Sequence, residues 1–566
     1  MKKTRTSLVV LIATCLFSLL FLGCKNKTNN DSETGNGNSQ ENVTSNKSNV
    51  AAVDQTAILS LIPDDAPFVF HIDLKSIWDK GDLDNANQVA FIKYLKSELK
   101  EENANASKIV NELIDNPNSC GLNLKGNIFI FTSESMKAEA CVAITVNDSE
   151  QFKNFLMNLE TNANLRMDFS TESRFNTAYC SDLGMGACWD NQKAYFFPVE
   201  EDYWSSRDPR NDVRDYADRL MSFGENASMS RNNDFQTFIA SKNDIGWFLN
   251  MRYLIRMLEK DRSYYEDEAM NYIRHFQNTS YCISLNFEQG FIKLQSTLLG
   301  MEGNSAYQFV NDNFNKKLLD YLPQQTFAAA TYSYNIENLI KMLDDNGLSE
   351  ELNETIEHGS YRVRDLLNCF TGNIAVSLSD INIINKTRHS YDYYYDYSYD
   401  YNYEEPQPVF TLVGEINNSR PLKQTLDEMD DFYHTGDTYI VKDGDISIKI
   451  SDNIIMVSND MSALNAFSRG GDGNGVEKIA AKAGKGNYIY LDLDPNNYPS
   501  SVKKAIDEDG RVLSLLEDFL QNAEVKMSNN YSYEIVINLK HNEKNSLKCI
   551  IDQIDNNLAT IQRLAR

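Results

Sequence analysis

Histidine is scarce in this chain and does not cluster. Six histidines are spread over 566 residues with no His-x-x-x-His pair, so the helical spacing that seats a catalytic zinc is missing. No Gly-x-Ser-x-Gly elbow occurs, which removes the sharp strand-to-helix turn that presents a hydrolase serine. The glycine-rich run Arg469-Gly470-Gly471-Asp472-Gly473-Asn474-Gly475 has no phosphate-loop spacing. Cysteine spacings match no zinc site. Basic charge is also short: 54 Lys and Arg stand against 81 Asp and Glu, a net charge of −27. Such a surface repels nucleic acid and anionic headgroups, so no nucleic-acid partner is expected. Beyond Cys24 no apolar run is long enough to suit a membrane-spanning helix. These gaps leave no catalytic residue, metal ligand or cofactor to nominate. They lean the reading away from an enzyme.

What is present begins at the N-terminus. Lys2, Lys3 and Arg5 precede an apolar run over 8–22, which ends Leu20-Phe21-Leu22-Gly23-Cys24. A cationic start, a short apolar core and a small residue before cysteine resemble the lipobox of bacterial lipoproteins. Phe21 stands where that pattern prefers Leu. The resemblance implies a signal peptide over 1–23 and a lipid on Cys24. Residues 25–53 are almost all Asn, Ser, Thr, Gly, Lys, Gln and acid. Such a stretch buries too little apolar surface to offset the entropy of ordering it, so 24–53 reads as a lipidated cysteine and disordered tether. Its reach would be roughly 30 Å. Lys25 follows the cysteine where the inner-membrane retention signal carries Asp. By that resemblance the expected address is the cell envelope at the outer membrane, with periplasmic face and surface both open.

Nine cysteines are present. Cys15 would leave with the signal and Cys24 would take the lipid, which leaves seven, an odd number that cannot all pair within the chain. Cys141 and Cys282 sit in alternating apolar patterns and read as small core residues. Cys180 and Cys188 flank the turn-like stretch 181–186 and are the candidate disulfide.

The body repeats itself. Ile58-Leu59-Ser60-Leu61-Ile62-Pro63 leads into a predicted strand at 68–74, and Leu318-Leu319-Asp320-Tyr321-Leu322-Pro323 leads into another at 327–334. Gly126-Asn127 and Gly372-Asn373 each open a strand. Partner strands follow at 140–146 and 409–416, then helices at 152–159 and 421–429. Asp190-Asn191 and Asp452-Asn453 mark matching turns. Strands over 246–250 and 486–492 follow, and 281–287 and 533–539 close each copy. Amphipathic helices are predicted over 251–276 and 547–564. The order of elements predicts an α+β protein of two tandem repeated units, 54–303 and 304–566, each a mainly antiparallel sheet backed by helices.

The copies differ at one joint. Where the first has the short 132–137, the second has about 380–407, with a Tyr/Asp-rich loop at about 388–407. Eight tyrosines crowd it: Tyr391, Tyr393, Tyr394, Tyr395, Tyr397, Tyr399, Tyr401 and Tyr403. One reading is a binding loop that stacks on sugars or peptides. The other is a hydrated insertion of low complexity.

Weaker signals have plain alternatives. His71 lies mid-strand, where a lone histidine is structural more often than a ligand. Asp492-Leu493-Asp494-Pro495-Asn496-Asn497 gathers oxygen donors for calcium, but it also has turn composition. Ser97-x-x-Lys100 and Ser500-x-x-Lys503 have the spacing of acyl-transfer serine enzymes, and His434-Thr435-Gly436 is faintly like the third motif of that class. A chain rich in Ser and Lys yields such pairs by chance.

Ile62-Pro63-Asp64-Asp65-Ala66, Asp73-Leu74-Lys75-Ser76-Ile77 and Lys80-Gly81 resemble the lipoprotein family of Bacteroidota catalogued as domain of unknown function 4836. Cys120-Gly121-Leu122-Asn123-Leu124 departs slightly from that pattern, which tends to read Gly-Ile-Asp. The resemblance implies an envelope lipoprotein and transfers no catalytic residue. The expectation is a non-catalytic binding or scaffold protein, held to the membrane by its lipid and meeting envelope proteins or glycans. A hydrolase acting on envelope polymers, and glycan or peptide capture through the Tyr-rich loop, are the alternatives.

Overall fold

The computed structural model describes residues 59–564, apart from 85–88, 103, 134–139, 164, 200–207, 261–272, 301–309, 312, 346, 356–359, 393–396, 443, 472–475, 477–478, 480–481, 483–486, 508–509 and 530. Cys24, the tether and Tyr393, Tyr394 and Tyr395 lie outside the described residues. The protein is a mixture of helices and antiparallel β-structure, divided into two compact units. The first takes the described residues of Met1–Gln289, Leu298–Met301 and Glu543–Arg566, and the second those of Gly290–Thr297 and Glu302–Asn542. These are not the contiguous stretches 54–303 and 304–566, because the C-terminal helix Ser546–Leu564 belongs with the first unit.

The strands of the first unit are β1 Phe68–Asp73, β2 Asn127–Phe131, β3 Cys141–Thr145, β4 Met167–Thr171, β5 Asn176–Cys180, β6 Met185–Trp189, β7 Lys193–Pro198, β8 Ile245–Asn250 and β9 Ser280–Glu288. They lie in the order 9-8-1-2-3-7-6-5-4, every neighbour antiparallel. Period-two burial explains the sheet: Gly246, Phe248 and Asn250 of β8 point inward between half-buried neighbours. Phe129, Phe131, Tyr195, Phe197 and Phe248 form one wall of the core. The helices Pro209–Ser222 and Asn233–Ala240 cover it with Val213, Ala217, Leu220, Phe235 and Phe238. Gly246 permits this closeness, since a Cβ there would meet the Phe238 ring at 2.4 Å. The helix Ser149–Ala163 sets Phe152 edge-on against Trp189, ring centroids 5.1 Å apart. Burying those two rings explains why this stretch forms an amphipathic helix with a single apolar stripe.

The C-terminal helix closes the first unit. Asp555 accepts from the backbone N–H groups of Ala90 and Phe91, each at 2.9 Å, at the start of the helix Ala90–Glu102. A carboxylate there satisfies donors that no helical carbonyl reaches. Asn545 donates to the Phe287 carbonyl at 2.8 Å and anchors the helix to the end of β9.

The second unit contains β10 Phe291–Leu299 up to Thr297, β11 Ala328–Ser333, β12 Phe370–Asp392, β13 Tyr397–Ile416, β14 Phe432–Thr435, β15 Thr438–Val441, β16 Ser447–Ile450, β17 Ile454–Ser458, β18 Asn487–Asp492, β19 Leu520–Asn529 and β20 Ser532–Leu539. Their order is 10-20-19-18-11-12-13-17-16-15-14, again antiparallel throughout. Ala375, Val413, Met456 and Tyr488 face Leu318, Leu319 and Leu464 in its main core. A second cluster joins Ile416, Ile448 and Ile455 to Leu422 and Tyr439. Of the helix predicted over 251–276, Met251–Lys260 is helical and 261–272 lie outside the described residues. No helix among the described residues is long and apolar enough to cross a membrane.

Candidate functional site

Two places concentrate polar chemistry, and they differ in access. The first lies where β1 turns into the helix Leu74–Gly81. Asp73 caps that helix by accepting from the Ser76 N–H at 3.0 Å. The Ser76 hydroxyl and the Lys80 ammonium then both reach Asp244, the lysine at 2.8 Å. The Phe287 N–H donates to the same carboxylate at 2.6 Å, and the Asp73 N–H to the Asp244 carbonyl at 2.9 Å. Asp244 is fully buried, and this set of donors is what makes a buried carboxylate tolerable. Beside it, His71 lies 2.6 Å from the Asn127 side-chain oxygen and stacks on Phe129 at 5.0 Å. Burial pushes the His71 pKa down, against the raising pull of Asn127, Asp73 and Asp244. His71 is thus a buried strand histidine packed on Phe129.

Most of the signature residues therefore tie elements together. The Met229 N–H donates to Ile62, the Asp64 N–H to Ala227, and the Ser133 hydroxyl to Asp65. Asp244 escapes sequence reasoning because nothing in Asn243-Asp244-Ile245 marks it. Only the pairing of β8 with β1 places it under the signature helix.

The serine of the first acyl-transfer spacing is bonded within its own helix. Ser97 donates to the Tyr94 carbonyl within its own helix, at 2.7 Å. Ser501, inside the second spacing, donates to Asp380. The oxygen-rich stretch 492–497 is a turn: Asp492 is buried and accepts from Asn497 at 3.1 Å, while Asp494 accepts from the Asn496 N–H at 3.0 Å and pairs with Lys540 at 2.8 Å. Among the described residues no group of three His, Cys, Asp or Glu side chains is placed to hold a metal ion. The described cysteines are free and buried. The expected bridge between Cys180 and Cys188 is corrected by register. Cys188 pairs with Thr177 and Cys180 with Met185, so the two thiols point to opposite faces of the sheet.

The second place is the tyrosine-rich joint, and here the expectation of a loop is overturned. β12 and β13 continue pairing as a two-stranded ribbon from Asp380↔Val409 to Asp392↔Tyr397, thirteen residue pairs. β11 stops at Leu378 and β17 at Thr411, so neither flanking strand accompanies it. At the strand rise the ribbon runs about 40 Å beyond its neighbours. It leaves the sheet at a bulge at Ser379, which lets the strand bend. Pro406 and Pro408 have no N–H to offer a further strand on the β13 edge. Asn459 covers that edge, donating to the Pro408 carbonyl and accepting from the Phe410 N–H, both at 2.8 Å. The helix Ser500–Ile506 braces the base through Ser501 on Asp380 and Lys504 on Glu404 at 2.9 Å.

Register divides the outer ribbon into two unlike faces. On one, His389 meets Asp400 and Thr387 meets Asn402 at 2.7 Å. The other carries Tyr401 opposite Arg388 and Tyr403 opposite Lys386. Both tyrosines are exposed, 40% and 37%, with ring centroids 6.0 Å apart. Tyr397 and Tyr399 share their register parity on β13, and Tyr391 takes the opposite parity on β12. The same β13 parity continues inward to Val409, Thr411 and Val413, which are buried. The face that builds the core within the sheet thus carries tyrosines in solvent beyond it.

The family model described as Domain of unknown function (DUF4836) matches residues 59–547. No curated protein and no solved structure matches the chain.

Proposed function

The chain belongs to the DUF4836 family, and from that premise we propose that it is a non-catalytic binding protein of the bacterial cell envelope. Its anchor is a lipid on Cys24, its address is the outer membrane of a member of the Bacteroidota, and its binding element is the β12–β13 ribbon. The observation that carries this reading is the ribbon itself. A two-stranded hairpin is marginal in water, so thirteen pairs held beyond any third strand, with the β13 edge covered and the ribbon braced at its base, point to use rather than to accident. The buried signature cluster supports the non-catalytic half of the reading, because its ionisable groups are tied to one another and to backbone.

We further read the two units as copies of one ancestral fold. The order 8-1-2-3-7-6-5-4 in the first matches 18-11-12-13-17-16-15-14 in the second, strand for strand. The ribbon is then an elaboration of the second copy's β12–β13 hairpin.

Replacing 386–403 by a tight Asn-Gly turn tests the reading. Full-length protein drawn from gently solubilised envelopes of its own bacterium should bring a stoichiometric envelope protein or glycan. The shortened variant should lose it at an unchanged thermal midpoint. Retention of the partner by that variant would overturn the role of the ribbon. The anchor is tested separately: Cys24→Ala should end labelling by a fatty-acid probe, and persistent labelling would refute lipidation there.

A further inference from the structure

We infer that the tyrosine face of the ribbon takes an extended anionic polysaccharide, with sugar rings on Tyr401 and Tyr403 and an acidic group on Arg388. The inference rests on the binding reading above and names the class of ligand. Three observations select it. The first is charge. Asp380, Asp400, Glu404 and Glu405 are engaged by Ser501, His389, Lys504 and Lys386 respectively. Arg388 has no partner among the described residues, and it stands opposite Tyr401. On a chain of net charge −27, a guanidinium opposite Tyr401 with no partner among the described residues is a local site for a carboxylate, sulfate or phosphate.

The second is edge chemistry. An extended peptide adds to a sheet through main-chain hydrogen bonds at an open edge. Here Pro406 and Pro408 remove donors from the β13 edge, and the helix Ser500–Ile506 reaches the base of the ribbon through Ser501 and Lys504. The tyrosine face offers recognition of another kind, since aromatic rings give flat apolar surface and a polar tip without main-chain pairing.

The third is area. A ribbon about 40 Å long and about 10 Å wide offers roughly 400 Å² on one face, half of what each side of a stable protein pair buries. That footprint suits a single polymer strand better than a second copy of this chain.

Calorimetry on the full-length protein in detergent, with oligogalacturonate as the probe, tests the assignment. A neutral xylo-oligosaccharide of equal length and poly-glutamate serve as the comparison ligands. The uronate should bind and the other two should not. Arg388→Gln should weaken uronate binding about tenfold or more, as the loss of a charged hydrogen bond does. Tyr401→Ala and Tyr403→Ala should each weaken it about fivefold, with the thermal midpoint unmoved in all three. Equal binding of the neutral sugar, indifferent to Arg388→Gln, would overturn the anionic class while leaving ribbon capture standing. Binding of poly-glutamate in place of the uronate would reassign the face to peptides. Binding of none of the three would overturn the polysaccharide assignment, and the ribbon-deletion pull-down then decides separately whether capture itself survives.

Discussion

His71 sits between Asn127 and Phe129 with its ring buried, and burial lowers its pKa from the ordinary 6.5. The folded protein thus binds a proton there less readily than the unfolded chain does. Its contribution to stability is full above about pH 6.5 and is lost as pH falls through the lowered folded value. Denaturant midpoints followed from about pH 7 down to about pH 5 should fall in wild type and fall less steeply in His71→Gln. Asp244 lies at the opposite extreme of tolerance. Asp244→Ala removes the partner of Lys80 and of two further donors, and should lower unfolding free energy by about 3 kcal/mol with an unchanged denaturant slope. The sequence displayed Asp73, Ser76 and Lys80 as a motif but not their common acceptor, since that contact is made 164 positions away. The cysteines were half legible. Cys141 and Cys282 are core residues as their strand patterns implied, and burial pushes both thiols up to about 12. Cys180 and Cys188 misled because proximity across a turn says nothing about register parity. The described cysteines should resist alkylation in the native protein and react fully once it is unfolded.

At the scale of elements, the strands bounded by turn residues were the readable ones. The predicted strand 68–74 is Phe68–Asp73, 246–250 is Ile245–Asn250, and 533–539 is Ser532–Leu539. In Ile245–Asn250 the buried parity is the one that hydrophobic alternation makes visible. The ribbon was not readable as a strand, because Asp, Asn and Ser between its tyrosines look like turn chemistry. Yet Tyr397, Tyr399, Tyr401 and Tyr403 recur with period two, and tyrosine favours pleated structure, so the signal was present. It was masked by the rule that polar, low-complexity stretches are loops. The paired Gly-Asn steps also conceal a difference. Gly372 lies in the irregular start of β12, between Phe370 and Ile374, at φ +96°, where a Cβ would lie 1.9 Å from the Tyr334 carbonyl oxygen. Gly372→Ala should therefore cost at least about 2 kcal/mol in thermal or chemical unfolding, whereas Gly126, whose φ is not in that range, should tolerate the same change better. An equal loss at both positions would show that the positive φ is not the cause.

For the whole molecule, the order of elements along the chain was legible and the path of its last helix was not. Amphipathic spacing announced Ser546–Leu564 as a helix but could not say which unit its apolar face completes. Asp555 caps a helix that begins 465 positions earlier. For a chain synthesised N-terminus first, this sets a schedule. The earliest strands would emerge long before the segment that finishes their unit, with the entire second unit delivered in between. The first unit would wait, incomplete, while its partner folded. A chain stalled or clipped before Glu543 would carry the waiting unit permanently unfinished, a built-in signal by which quality-control proteases could tell a complete molecule from a partial one.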